Sequence, residues 1–238
     1  MIFKEEMSML ILAHRGASKA APENTVRAFK LAFEQRADGI EFDTYQHESG
    51  IIVFHDRTLT RRAREPGYLL DVPWQSLKEM DIGDGERIPT LTETLNCVPK
   101  DKWCNIEIKH LRNVDSWVKD VKAAVQQSGI NADKLLISSF NHHWLQAIAL
   151  KWPEVKIGAL SASYELDCTA SARALNAYSV NIALDAVDKQ FVQTAQQDGF
   201  DVFVYTVDEP RDMLMLKEWG VTGIFTNVPD VALSVLSH

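Results

Sequence analysis

The chain has 238 residues, 46% of them hydrophobic, with 25 Lys+Arg against 33 Asp+Glu for a formal charge of -8. That acidic balance excludes nucleic acid as a general partner, and no apolar run approaches the roughly 20 residues that span a bilayer. The length suits one large domain, and α/β barrels reach it without dividing.

The opening MIFKEEMSMLILAHRG has a short apolar run that leads straight into His14-Arg15-Gly16. Without a small-residue cleavage site it is a poor signal peptide, so the expected location is cytoplasmic, with no stable membrane insertion. Cys97, Cys104 and Cys168 have no C-x-x-C spacing and read as reduced, structural residues.

In chain order, a strand over 9–13 precedes a helix over 24–35, with Asn24 as its cap. A second strand, 39–43, is followed after a short segment by a third apolar run at 51–54. That gap is too short for a parallel crossover of about a dozen residues. The run should instead fold back as a hairpin, turning near Glu48-Ser49-Gly50. It opens an excursion over about 46–88, rich in Arg, Gly, Pro and Asp, read as a small insertion. A helix at 91–98 then resumes an alternation of strands at 104–109, 135–138, 156–160, 179–183, 201–206 and 222–226. The intervening helices fall at 114–127, 142–151, 164–177, 189–197, 210–219 and 229–236. Gly129, Gly199 and Gly220 stand where helices stop, and Pro210 suits a first turn.

Setting the hairpin aside leaves eight strand–helix units, the pattern of a closed α/β barrel with a small insertion between the second strand and its helix. A doubly wound open sheet is the competing architecture. It would carry a glycine-rich phosphate loop after the first strand, where this chain has His14-Arg15-Gly16-Ala17-Ser18.

In such a barrel the C-terminal strand ends share one rim. The first strand ends at His14 and Arg15, the second carries Glu41 and Asp43, and the hairpin returns at His55 and Asp56. The next strand adds Glu107 and Lys109. Residues two apart on a strand share a face, so Glu41 and Asp43 point together. Their repulsion calls for a cation or a shared proton. With Glu107 they form an all-oxygen donor set suited to Mg²⁺ or Ca²⁺. Arg15 and Lys109 supply positive charge for a phosphate ester, and two histidines supply a base and an acid.

Each feature also has a plainer structural explanation. E-x-D is commonly a salt-bridge partner, and a histidine after an apolar run commonly packs. What favours the joint reading is that all seven groups fall on one predicted rim. His47, in the hairpin turn, reads as exposed; His142 and His143 read as capping or solvent-facing; His110 lies near the rim. Arg61, Arg62 and Arg64 read as a solvated loop. Of the aromatics Phe140, Tyr205 and Trp152, a class that usually packs in the core, only Phe140 and Tyr205 sit near strand ends where they could line a pocket.

The block HRGASKAAPENTVRAFKLAFEQRADGIEFDTYQHESGIIVFHDRTLTR resembles the signature region of the glycerophosphodiester phosphodiesterase family, cytoplasmic bacterial type. The likeness continues through IPTLTETL, NIEIK, LISSF, VYTVDEP and GVTGIFTNVPD, nearly the whole chain. It implies a TIM barrel with a small insertion, one divalent cation (Mg²⁺ or Ca²⁺), and hydrolysis of glycerophosphodiesters to glycerol 3-phosphate and an alcohol. By position, His14 and His55 resemble the family's acid/base pair, Arg15 and Lys109 its phosphate contacts, and Glu41, Asp43 and Glu107 its metal ligands. Asp56 is expected to orient His55. The partner is then a small-molecule glycerophosphodiester; a homodimer stays open. The chain departs from the pattern where Arg61-Arg62 replaces Arg-Thr and Tyr205-Thr206-Val207-Asp208 replaces Trp-Thr-Val-Asn. A lysophospholipase D and a non-catalytic phosphate-ester binder are the competing functions. An amidohydrolase would want H-x-H on the first strand, which is absent.

Overall fold

A computed structural model of the chain describes residues 9–237, so residues 1–8 of the leader reading lie outside it. Strand β1 (Leu10–His14) leads through α1 (Val26–Glu34) into β2 (Gly39–His47). β2 turns back antiparallel on β3 (Gly50–Val53) with His47 opposite Gly50, the expected hairpin. After α2 (Trp74–Glu79) and α3 (Leu91–Leu95), the chain alternates regularly: β4 (Trp103–His110), α4 (Val114–Ser128), β5 (Leu135–Ser139), α5 (His142–Lys151) and β6 (Lys156–Ser161). It continues with α6 (Ala170–Leu175), β7 (Ser179–Ala183), α7 (Lys189–Gln197), β8 (Asp201–Tyr205), α8 (Pro210–Trp219), β9 (Gly223–Thr226) and α9 (Pro229–Leu236). Every strand pairing apart from the hairpin is parallel, and β1 pairs with both β2 and β9, which closes the barrel.

Alternation along the strands divides the apolar residues between two cores. Ile40, Phe42, Ile106 and Ile137 face outward into the layer shared with the helices. Leu12, Trp103, Leu136, Phe203 and Phe225 form a separate cluster that fills the barrel below its upper rim. Two glycines make that filling possible: a Cβ on Gly39 would come 2.5 Å from the Trp103 Cβ, and one on Gly223 2.8 Å from the Phe203 ring. Gly39→Ala is therefore expected to cost about 1–3 kcal/mol by overpacking; chemical denaturation measures it, and an unchanged midpoint would contradict the tight fit.

The segment between β3 and α3 has its own small core, in which Leu59, Leu69, Leu77, Ile82 and Ile88 pack on Ile52 and Phe54. It rests on the barrel through Val53, whose N–H donates to the Pro89 carbonyl (2.9 Å).

Three sequence expectations need correction. Thr25, not Asn24, caps α1, accepting from the Ala28 N–H, while Asn24 takes a left-handed φ of 58° and turns its amide elsewhere. The helix expected over 164–177 shrinks to α6. Just before that span the Ser161 hydroxyl donates to the Ser163 carbonyl and accepts from the Ser163 N–H, so the chain leaves β6 in a side-chain-closed turn instead of a helix start. His47 is buried, its Nε2 3.2 Å from the Val72 carbonyl and its ring 5.5 Å from Trp74. Cys97, Cys104 and Cys168 are all free thiols. No helix among the described residues is long and apolar enough to cross a membrane.

Candidate active site

Glu41, Asp43 and Glu107 converge at the C-terminal rim, all buried, each offering a carboxylate oxygen within 4.8 Å of the others. Strand register explains the convergence. His14 pairs with Glu41 across β1 and β2, and Asp43 pairs with Glu107 across β2 and β4. Just above, the β2–β4 register slips so that Tyr45 pairs with His110 and Lys109 becomes the extra residue of a bulge. Such a bulge re-aims side chains; here the Lys109 Nζ donates to Glu107 Oε1 (2.5 Å) and lies 3.3 Å from Asp43 Oδ1.

Arg15 approaches from the other side. Its Nε lies 3.1 Å from Asp43 Oδ2, and its backbone N–H donates to Glu41 Oε2 (3.1 Å). Asn24, freed from capping, donates its side-chain amide to Asp43 Oδ2 (2.8 Å) and fixes the carboxylate plane. Even so, Glu41 Oε1 and Asp43 Oδ1 are buried and accept no hydrogen bond. Buried carboxylate oxygens without donors are costly in isolation. Two of them beside a third carboxylate fit a hard divalent cation.

Burial, reinforced by Asp43 and Glu107, pushes the Glu41 carboxyl well above the usual range. Burial and Asp43 lift Glu107 to about 7 despite Lys109. Burial also opposes ionisation of Asp43, but Lys109 and Arg15 outweigh it and hold that carboxyl below its ordinary value. The anionic site is thus anchored on Asp43, with Glu41 and Glu107 inclined to keep protons until positive charge arrives.

The two histidines are held differently. His14 Nδ1 lies 2.8 Å from Asn227 Oδ1, which also accepts from Ser18 Oγ (2.7 Å). Asn227 Nδ2 donates to Asp208 Oδ2 (2.7 Å), so the amide oxygen must face His14. His14 therefore carries its proton on Nδ1 and presents a lone pair on Nε2, 3.9 Å from Glu41 Oε2. Burial and the neighbouring Arg15 keep this ring neutral, its pKa lowered to about 4. His55 Nδ1 donates to Asp56 Oδ1 (2.6 Å), as the adjacent pair implied. Burial tends to raise the Asp56 carboxyl, but hydrogen bonds from Arg61 and His55 bring it to about 2.

A cavity of about 790 Å³ opens beside this cluster, lined by Tyr45, His55, Tyr68, Leu70, Lys109 and His110 among others. His110 stacks on Tyr45 with ring centroids 6.3 Å apart. Phe140 is half-exposed at the rim, edge-on to Tyr205 (6.2 Å) and 5.8 Å from Lys109 Nζ. Trp152 lies in the outer core and lines no pocket at the rim. His142 Nε2 is 2.9 Å from the Leu160 carbonyl, while His143 is exposed. Asn24, Asp208, Asn227, Glu23 and Arg61 complete the cluster. Sequence reasoning gave none of these five a role in the site: Asn24 reads there as a helix cap, and Arg61 and Asp208 only as departures from the family pattern.

The family model described as the Glycerophosphoryl diester phosphodiesterase family matches residues 14–231. A glycerophosphodiester phosphodiesterase of Caldanaerobacter subterraneus subsp. tengcongensis is 33% identical, over 97% of this chain and 98% of the relative. Among solved structures, an Oleispira antarctica phosphodiesterase in complex with the product sn-glycerol-3-phosphate superposes with a TM-score of 0.89. It is 26% identical and covers 97% of this chain and 98% of its own. A protein from Galdieria sulphuraria described as a putative glycerophosphodiester phosphodiesterase has a TM-score of 0.87 at 26% identity, with the same coverage of both chains.

Proposed function

This chain belongs to the glycerophosphoryl diester phosphodiesterase family, and we propose that it hydrolyses glycerophosphodiesters to sn-glycerol 3-phosphate and an alcohol with the help of one divalent cation, Mg²⁺ or Ca²⁺. The observation that carries this reading is the treatment of Asp43. It is gripped by Arg15 and Asn24 at Oδ2 and paired with Lys109 at Oδ1, yet that buried Oδ1 accepts no hydrogen bond, and neither does Glu41 Oε1 beside it. Glu41, Asp43 and Glu107 would hold the cation. When bound, it would neutralise phosphate charge and make an attacking hydroxyl or water more acidic.

The remaining work falls to this chain's own side chains. Arg15 and Lys109 bind and orient the phosphate oxygens, Arg15 with its fork and Lys109 as a point charge. His14, neutral with its lone pair on Nε2, accepts the proton of the nucleophile. His55, whose Nδ1 proton is fixed by Asp56, delivers a proton from Nε2 to the departing alkoxide. Tyr45, Tyr68 and Leu70 would shield the alcohol moiety in the adjoining cavity. The three free thiols agree with work in the reducing cytoplasm.

A coupled assay for glycerol 3-phosphate, run across several headgroups with chelator and metal add-back, tests the reading. Turnover is expected to vanish on chelation and return with Mg²⁺ or Ca²⁺. Tight binding without product release in saturating metal would instead favour a phosphate-ester binder.

A further inference from the structure

Arg61 comes from the insertion and Glu23 from the loop before α1, and together they join the two halves of the site. Arg61 Nε and Nη2 donate to Asp56 Oδ2 (2.6 Å) and Oδ1 (3.0 Å). Its Nη1 and Nη2 donate to Glu23 Oε2 (2.9 Å) and Oε1 (2.6 Å). Glu23 Oε1 in turn accepts from Arg15 Nη1 (3.0 Å), while Asp56 Oδ1 accepts from His55 Nδ1 (2.6 Å). One guanidinium thus grips two carboxylates, each of which holds one group of the reaction centre.

Resting on the function proposed above, the geometry points to Glu23 and Arg61 as positioning residues: a double fork that sets Arg15 against the phosphate and His55 against the leaving group. The chemistry favours this over a loose surface contact. Glu23 and Asp56 are only 15% and 18% exposed, although the Arg61 side chain is 47% exposed. Bidentate pairing fixes orientation as well as distance, which a lysine cannot do. The fork also anchors the insertion to the first barrel loop, so the cavity wall and the phosphate site keep one spacing.

Different kinetic parameters report on the two arms. Arg15 holds the phosphate before and during reaction, so Glu23→Gln should mainly raise KM. His55 acts on the leaving group, so Asp56→Asn should mainly lower kcat. Arg61→Met should do both, each by about 10- to 100-fold, the range expected for lost charge-assisted hydrogen bonds. Arg61→Lys should recover only a minor part. Imidazole NMR supplies a readout that needs no turnover: the His55 Nδ1 proton resonance should move in Arg61→Met as the Asp56 carboxylate loses its partner and its orientation, while the thermal midpoint confirms folding. An unchanged His55 resonance in folded Arg61→Met overturns the proposal, as does equal loss of kcat in all variants with no change in KM. If the parent enzyme releases no glycerol 3-phosphate, the functional reading fails separately, and the resonance alone decides whether the fork positions His55.

Discussion

Alanine at His14 or at His55 is expected to lower kcat for glycerol 3-phosphate release by about 10²- to 10⁴-fold, the usual worth of a positioned acid or base. Neither change should unfold the protein. The His55 side chain is 30% exposed and that of His14 16%, and neither lies in a core cluster. Without the His14 ring, the Ser18 hydroxyl remains within 2.7 Å of Asn227 Oδ1 as a donor. Steady-state assays beside thermal unfolding curves check both statements. Near-normal turnover in either variant rejects the role assigned to that histidine.

Cation binding is expected to weaken sharply below neutral pH. A metal ligand must be deprotonated, and Glu107, lifted to about 7, together with Glu41, also raised, keeps protons in the acidic range. Below pH 7 these protons compete with the ion; above it Glu107 is free to coordinate. One competing proton gives about a tenfold loss of affinity per pH unit, and two give more. Calorimetric titration with Mg²⁺ or Ca²⁺ between pH 6 and pH 8 should show that slope, with proton release at the lower end. Asp43→Asn should abolish binding at both pH values, since it removes the carboxylate that Lys109 and Arg15 keep ionised. Affinity flat with pH, or retained in Asp43→Asn, would dismiss the three-carboxylate site.

The acidic and basic groups of this rim were legible because strand periodicity is local. Glu41 and Asp43 had to share a face, and the short link after them had to be a hairpin whatever the rest of the chain did. Other contributions depend on distant partners. Asn24 looked like a cap because Asn commonly is one; its real partner, Asp43, is brought near by the parallel pairing of β1 with β2. His47 is buried by Val72 and Trp74 from the insertion, whose path no periodicity encodes. Asn227 and Asp208 lie on consecutive crossovers at the far end of the chain, and they orient His14 only because β9 pairs with β1. Arg61 belongs to a run of arginines that composition alone reads as solvated.

The floor of Leu12, Trp103, Leu136, Phe203 and Phe225 fixes how molecules travel. Among the described residues these side chains plug the lower end of the cylinder, so in the proposed reaction the diester is expected to enter, and both fragments to leave, at the upper rim. For the hydrolysis proposed above, the expected order of release is therefore alcohol first, and inhibition by glycerol 3-phosphate competitive with the diester is the observation that checks it.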